Sequence, residues 1–246
     1  MSIVLTGATT GIGRATAQLL AGSTDHLILH GLEPTIGGFT PGVRMTYFPA
    51  DYGDLDEVER LAARIRATTD HIDVLINNAA RPGPPARTVN EAGQEVTYQA
   101  NYLAPVLLTT RLLDLTRRVV NIASATHLSA TFEGDHRSDA GTGAYAYSKL
   151  ALVTYSCWLS GSRSEVVSMH PGIIATPLLH AMFAIAGDEP SHAAENVRYV
   201  ASRRRDNGTY YDERRPAAPN PEALDHDAQA RLIETTGRAL GFSLRL

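Results

Sequence analysis

The constraint that most limits this chain is an alternation. Short apolar runs at residues 3–5, 27–29, 45–48, 74–76, 119–122 and 166–169 are separated by longer segments with helical periodicity. In one of these segments Leu55, Val58, Leu61, Ala62 and Ile65 recur at three- and four-residue spacing, which puts them on one face of a helix. Strands that are apolar throughout need cover on both faces, and a helix between each pair returns the chain to the same edge direction. The pattern therefore predicts an α/β fold, a Rossmann-like doubly wound parallel sheet with helices on both faces. At 246 residues one such domain spanning 1–246 is expected. Residues 128–143, 178–192 and the tail from Asn207 onward interrupt the alternation, and none reads as a linker.

In such a sheet, ligands collect at the carboxyl ends of the strands. The first run leads directly into Thr6-Gly7-Ala8-Thr9-Thr10-Gly11-Ile12-Gly13 and then a helical segment beginning at Arg14. Glycines there let the backbone turn tightly and approach a pyrophosphate, and the helix N-terminus beyond offers unpaired N–H groups. A dinucleotide is the expected ligand.

Composition narrows the partners. A net charge of −4 gives no basic face for nucleic acid, and the run Arg203-Arg204-Arg205 reads as a solvated helix end. No apolar stretch reaches the ~20 residues of a membrane helix, the start at Ser2-Ile3-Val4-Leu5 carries no basic leader, and the single cysteine, Cys157, allows no internal disulfide. A cytoplasmic protein with no membrane partner is expected, with Cys157 a buried structural thiol in a helix. His26, His71 and His226 read as surface residues, and no metal site is expected: Glu133, Asp135, His136 and Asp139 have no ligand spacing.

The glycine spacing, Gly-x-x-x-Gly-x-Gly, resembles that of the short-chain dehydrogenase/reductase family, and the later motifs follow in the family's order. Asp51 follows the third run, Asn77-Asn78-Ala79-Ala80 the fourth, and Asn101 falls in a helical segment. Ser124 ends the fifth run, Tyr145-Ala146-Tyr147-Ser148-Lys149 opens a helix, and His170-Pro171-Gly172-Ile173-Ile174-Ala175-Thr176 follows the sixth. Asn101-Tyr102-Leu103-Ala104-Pro105 and Gly208-Thr209-Tyr210-Tyr211 are similar to the retinol-dehydrogenase-like branch.

The resemblance implies an NAD(P)-dependent oxidoreductase that interconverts an alcohol with a ketone or aldehyde. Its catalytic residues would be Asn101, Ser124, Tyr145 and Lys149. A tyrosine hydroxyl with an ordinary pKa of ~10 is a poor base at neutral pH. Lys149 lies four residues on, on the same helical face, where its ammonium is expected to lower that value. Tyr145 would then exchange a proton with the substrate oxygen, and Ser124 would hydrogen-bond the same atom. Asn101 would hold a water linking Lys149 to solvent. Tyr147, two residues from Lys149, is assigned to packing or the substrate rim.

The cofactor contacts implied are Gly7, Thr9, Thr10, Gly11, Ile12 and Gly13 at the phosphates, Asp51 and Tyr52 at the adenine, and Asn78, Ala79 and Ala80 at the adenosine ribose. Tyr145 and Lys149 would meet the nicotinamide ribose, Pro171, Gly172 and Ile174 would shape the turn beside the ring, and Thr176 would meet its carboxamide. Gly31 stands where NAD enzymes carry an acid and Leu32 where NADP enzymes often carry arginine. With no carboxylate to repel a 2′-phosphate, and with Arg14, Thr9 and Thr10 nearby, NADP is expected and NAD stays open through Glu33.

Ser124 and Tyr145 are 21 positions apart, longer than the family's usual spacing, so 128–143 reads as a loop at the pocket mouth. Residues 178–192, with Met182 and Phe183, read as a substrate lid. The expected substrate is a mid-sized apolar or aromatic small-molecule carbonyl or alcohol, reduced rather than oxidised. Two rivals are an epimerase or dehydratase using the same Tyr–Lys pair and a non-catalytic dinucleotide-binding redox sensor. Pairing into a homodimer or homotetramer through the helix of Tyr145 and Lys149 is open, since residues 150–159 suit an interface or a core equally.

Overall fold

The computed structural model describes residues 1–39, 44–133 and 140–246. Six parallel strands carry the expected apolar runs: β1 (Ser2–Leu5), β2 (His26–Gly31), β3 (Met45–Pro49), β4 (Val74–Asn77), β5 (Arg118–Ile122) and β6 (Glu165–His170). The tail adds β7 (Tyr210–Asp212), parallel to β6, and β8 (Arg215–Ala217), which turns back antiparallel on β7. The order across the sheet is β3-β2-β1-β4-β5-β6-β7-β8, so the chain reverses direction beside β1, where β2 and β4 flank it on opposite sides. That reversal opens a crevice at the carboxyl ends of the strands.

Helices cover both faces: α1 (Gly11–Ala21) and α7 (Pro190–Ser202) on one, α2 (Leu55–Arg66), α4 (Ala104–Leu112) and α5 (Gly141–Leu159) on the other. In α2, Val58, Leu61, Ala62 and Ile65 are buried as the spacing predicts, while Asp54 caps the first turn by accepting from the N–H groups of Asp56 and Glu57. Complete burial of each large aliphatic there is worth about 1.5–3 kcal/mol. Residues 150–159 resolve into core, with Leu150, Ala151, Leu152, Val153, Tyr155 and Leu159 all buried inside the protomer. Among the described residues no helix is long and apolar enough to cross a membrane.

Several expectations change. The helix of Tyr145 starts at Gly141, four residues earlier than expected, because loop 83–84 locks it in place: Gly141 N donates to the Pro84 carbonyl at 2.8 Å. The tail, unassigned from sequence, supplies β7, β8 and α8 (His226–Leu240). His26 is buried on β2 and bonded to the Thr46 hydroxyl at 2.9 Å, so it is not a surface residue. Cys157 is half-buried, with burial pushing its thiol up to about 11, an inert rather than nucleophilic setting. Arg203, Arg204 and Arg205 lie exposed just past the end of α7, as expected.

Arg118, fully buried at the start of β5, ties the strands that carry the site. Its guanidinium donates to both Asp206 oxygens at 2.8 and 2.9 Å, to Glu165 at 3.0 Å and to the Val200 carbonyl at 3.0 Å. Burial by itself would raise the Asp206 pKa, but hydrogen bonds from Arg118 and Tyr211 hold it below the usual carboxylate value. Asp206→Ala removes the two-pronged partner of a fully buried guanidinium and leaves Glu165 as its remaining carboxylate, so it should cost about 3 kcal/mol in urea unfolding at pH 7. A carboxylate with a depressed folded pKa stabilises fully above its unfolded value of ~3.9 and loses that contribution as pH falls further. The difference between native and Asp206→Ala protein should thus be constant from neutral pH down to about pH 5 and shrink below about pH 4.

Candidate active site

Three strand ends build the floor of the crevice. Gly7, just past β1, has φ +67°, and a Cβ on it would lie 2.7 Å from the Ala79 Cα, so the first and fourth strand ends touch backbone to backbone. A Cβ on Gly13 would sit 1.9 Å from the Gly7 carbonyl oxygen, which no side chain can occupy. Asn78 secures the crossing by donating from Nδ2 to the carbonyls of Thr6 at 2.9 Å and Gly7 at 3.2 Å, while the Thr6 hydroxyl accepts from the N–H groups of Asn78 and Ala79 at 3.0 Å each. Its neighbour Asn77 faces the opposite way, donating to Thr109 at 2.9 Å and Asn121 at 2.8 Å in the buried layer under α4.

The N-terminus of α1 faces this floor. Thr10, its N-cap residue, makes no side-chain cap, and the first turn holds no acid, so the positive end of the helix is open to an anion. The cleft above has a volume of about 610 Å³. Gly7, Thr9, Thr10, Gly11, Ile12 and Gly13, the residues expected at the phosphates, line one end of it. Leu32, Asp51, Tyr52, Asn78, Ala79 and Ala80 form one wall, and Tyr145, Lys149, Pro171 and Thr176 close the far end. A cradle that a single Cβ would fill, beside an uncapped helix end, fits the pyrophosphate of a dinucleotide.

Four expected residues stand apart from that lining. Gly172 has φ +108°, and Ile174 is buried beneath it, 3.3 Å from where its Cβ would be; Ile174 supports the turn instead of walling the cleft. Asn101, fully buried, accepts from Arg81 N at 2.8 Å and donates to the Arg81 carbonyl at 3.0 Å and the Ser148 hydroxyl at 3.2 Å. Both of its side-chain N–H donors are spent on positioning the loop after β4 and the helix of Tyr145, so a water linking Lys149 to solvent would have to be held by its main chain. It lies in a π-helical turn, residues 99–103, where one extra residue breaks the regular ladder. Ser124, half-buried two residues past β5, lies close enough to the Tyr145 phenol to lower its pKa.

The proton-transfer pair differs electrostatically from the sequence expectation. Lys149 Nζ sits 5.5 Å from the centre of the Tyr145 ring and donates to the Ile122 carbonyl at 2.8 Å. Burial dominates both groups: it pushes the Tyr145 phenol up to about 12, against the lowering influence of Ser124, and pulls the Lys149 ammonium down to about 7. The direction for Tyr145 is opposite to the lowering expected from Lys149, because desolvation is the largest influence on the phenol and the lowering one comes from Ser124. Tyr147 packs against Tyr98 and Phe132, with ring centres 5.7 Å apart in each case, as its position suggested.

Sequence reasoning missed two histidines. His30, buried at the end of β2, accepts from Gly7 N at Nδ1 (3.4 Å), has Nε2 3.0 Å from the Ala50 carbonyl, and stacks on Tyr52 with centroids 4.5 Å apart. Desolvation lowers its pKa to about 4, so it stays neutral and braces the glycine loop. His127 is fully buried behind Ser124. The only signal was a polar residue inside or just after an apolar run. Of residues 178–192, Leu178 lines the cleft beside Pro177, whereas Met182 and Phe183 are half-buried outside that lining. Its base is pinned by Ala175 N to the Asp188 carbonyl and Asp188 N to the Ile173 carbonyl, both 2.8 Å. Asp135, His136 and Asp139 lie outside the described residues, leaving only Glu133 of that group in view.

A family model described as short chain dehydrogenase matches residues 1–185. The chain belongs to that family. It is 30% identical to mouse retinol dehydrogenase 13 over 99% of this chain and 84% of that protein, which places it near the retinol dehydrogenase branch. Its fold matches NADPH-bound carbonyl reductase from chicken fatty liver at a TM-score of 0.65 and 19% identity, over 86% of this chain and 96% of the other. It also matches 3-ketoacyl-(acyl-carrier-protein) reductase from Brucella melitensis, solved with NADH, at 0.69 and 19%, over 86% and 95%. This short-chain dehydrogenase is an oxidoreductase acting on alcohol and carbonyl groups.

The floor geometry predicts the behaviour of two glycine variants. Gly13→Ala must displace the Gly7 carbonyl and should weaken NADPH binding at least roughly tenfold in a fluorescence titration. Gly22→Ala, where a Cβ would meet nothing within 4 Å, should leave binding unchanged.

Proposed function

We propose that this enzyme reduces a mid-sized, largely apolar ketone or aldehyde with NADPH, the proton coming from Tyr145. The observation that carries the reading is that Tyr145 and Lys149 close the same cleft whose other end is the glycine cradle. A nicotinamide bound there would supply the hydride. The chain's own contribution is acid catalysis and orientation. Burial keeps the Tyr145 phenol protonated at neutral pH, the state required to protonate a carbonyl oxygen during reduction. Lys149, with its pKa drawn down to about 7, can exchange protons near neutral pH and is fixed by the Ile122 carbonyl. Ser124, close enough to the phenol to lower its pKa, would offer a second donor to the same substrate oxygen. Thr176 accepts from Leu179 N at 3.2 Å as the cap of α6 (Pro177–Met182), which leaves its O–H to donate toward a carboxamide.

The NADP assignment rests on the end of β2. A Cβ on Gly31 would lie 2.4 Å from the Thr9 methyl and 2.9 Å from the Tyr47 hydroxyl, so packing excludes an acid there to bind the ribose diol. Arg14 is held nearby by the Gly37 carbonyl at 3.0 Å and gives a cation for a 2′-phosphate. Glu33, which lines the cleft, is the group that would instead favour NAD. Apolar walls at Ala123, Pro177 and Leu178 support the substrate class, as does the retinol dehydrogenase relative. We also propose a cytosolic location, on the single cysteine, which allows no internal disulfide.

The test is a panel of ketones and aldehydes, including all-trans-retinal and 9,10-phenanthrenequinone, followed by the absorbance of the reduced nicotinamide. Tyr145→Phe should lower kcat by about 10²–10⁴, the usual worth of a positioned acid, with the NADPH Kd within about twofold of native. NADPH should be preferred over NADH by roughly tenfold, the worth of one good ionic contact. Undiminished turnover by Tyr145→Phe would remove the proposed chemistry; a preference for NADH would remove the cofactor assignment alone.

A further inference from the structure

Ser124 lies on an unusual support. It follows β5 by two residues in extended conformation, with its hydroxyl accepting from Thr126 N at 3.3 Å, and begins the 3₁₀ turn of residues 125–129. Three residues on, the fully buried His127 places Nδ1 2.6 Å from the Ser124 carbonyl oxygen. Its other ring nitrogen, Nε2, is 3.3 Å from the backbone N of Asn220.

These two partners decide the tautomer. A backbone N–H can only donate, so Nε2 must accept; a carbonyl can only accept, so Nδ1 must carry the hydrogen. Protonating the ring would set an N–H against the N–H of Asn220, and desolvation lowers the His127 pKa in the same sense. The imidazole is therefore a fixed neutral strut between Ser124 and residue 220. Its ring also packs on Tyr210 of β7, with centroids 4.7 Å apart.

Asn220 is itself locked. Buried, it donates from Nδ2 to the carbonyls of His127 at 3.0 Å and Ala130 at 2.8 Å. Two residues later Glu222 accepts from Phe132 N at 2.7 Å. Three residues of the tail, all beyond the family-matched 1–185, thus clamp the turn that carries Ser124.

We propose that His127, locked by Asn220, is the positioning residue that holds Ser124 in register with Tyr145, and that segment 220–222 forms the back of the catalytic site. The inference rests on the reading of Ser124 as a substrate-oxygen donor. A hydroxyl that must sit at hydrogen-bond distance from both a phenol and a reacting oxygen tolerates little drift, and a misplacement of about 1 Å costs on the order of 10²-fold in rate.

The experiment compares His127→Leu, His127→Asn and His127→Gln in native and Ser124→Ala backgrounds, with all-trans-retinal and 9,10-phenanthrenequinone as substrates and NADPH as cofactor. Asn sets an amide N–H near the position of Nδ1 and keeps the strut to Ser124; Gln reaches only the position of Nε2. Expected is a kcat loss of roughly 10- to 100-fold for His127→Leu and His127→Gln, recovery to within about fivefold for His127→Asn, and an NADPH Kd unchanged within about twofold. In the Ser124→Ala background His127→Leu should cost less than about twofold more, because both changes remove one function. An equal loss in both backgrounds, or no loss in the native one, would overturn the proposal while leaving the catalytic reading intact. Full turnover by Ser124→Ala would remove that reading and the proposal with it.

Two readouts stand if His127→Leu does not fold or neither substrate is reduced. In ¹⁵N-histidine spectra, with His127 assigned through His127→Asn, its ring should show the neutral Nδ1–H form from pH 6 to 8. Asn220→Ala, which keeps the backbone donor but cuts both side-chain ties, should expose the His127 ring hydrogen to faster exchange. The Nε2–H form, or exchange unchanged in Asn220→Ala, would overturn the inference.

Discussion

Everything at the carboxyl edge of the sheet depends on how closely β1 and β4 approach one another. The Gly7 position lies against the Ala79 backbone and the Gly13 position against the Gly7 carbonyl, so the floor of the crevice is main chain with no side chain between. Such an approach exposes backbone amides, which must be paired or turned to a ligand. Thr6 and Asn78 pair those between the strands, His30 braces the outer side, and the uncapped first turn of α1 is left for an anion. The binding groove is thus a product of strand packing before any cofactor contact is considered.

Burial then sets the proton chemistry. An exposed Tyr–Lys pair would be expected to share charge, the ammonium drawing the phenol down. Here both groups are withdrawn from water, the phenol rising to about 12 and the ammonium falling to about 7, so the neutral forms are favoured on both sides. A phenol that holds its proton suits the role of acid more than that of base. The protonation state of the pair follows from desolvation rather than from the spacing of the two residues.

Strand runs and motif positions were legible because they rest on local rules. Buried parallel strands read as continuous apolar runs, and glycines fall where the backbone has no room for a Cβ, as at Gly7 and Gly13. The tail was not legible: Tyr210-Tyr211-Asp212 is too short to show a period, and it becomes a strand only because β6 offers it a free edge. The side-chain bonds of Asn101 to residue 81 and residue 148 leave no local trace in the sequence. His26 read as a surface histidine and His30 drew no reading, yet every residue of β2 is buried, so each ring must find a partner inside. The sign of the pKa shifts needed the degree of burial, which the i,i+4 spacing of Tyr145 and Lys149 does not contain.

The reacting groups come from two elements far apart in sequence, yet their registration uses one repeated device. Lys149 donates to the Ile122 carbonyl, Ser148 to the Tyr145 carbonyl at 2.7 Å, and His127 to the Ser124 carbonyl. In each case a buried side chain is anchored on a main-chain acceptor of, or within two residues of, Ser124 or Tyr145. Main-chain carbonyls move only with their strand or helix, so bonds to them transmit the rigidity of the sheet to the site, whereas bonds between flexible side chains would not. This explains why β5 and the start of α5 can sit so near the cleft mouth, flanked by long loops, and still hold two hydroxyls in a fixed relation. It also gives a physical reason for a polar rather than apolar layer behind the site: an aliphatic substitute could fill the space but would leave those carbonyls unpaired and their registration unset.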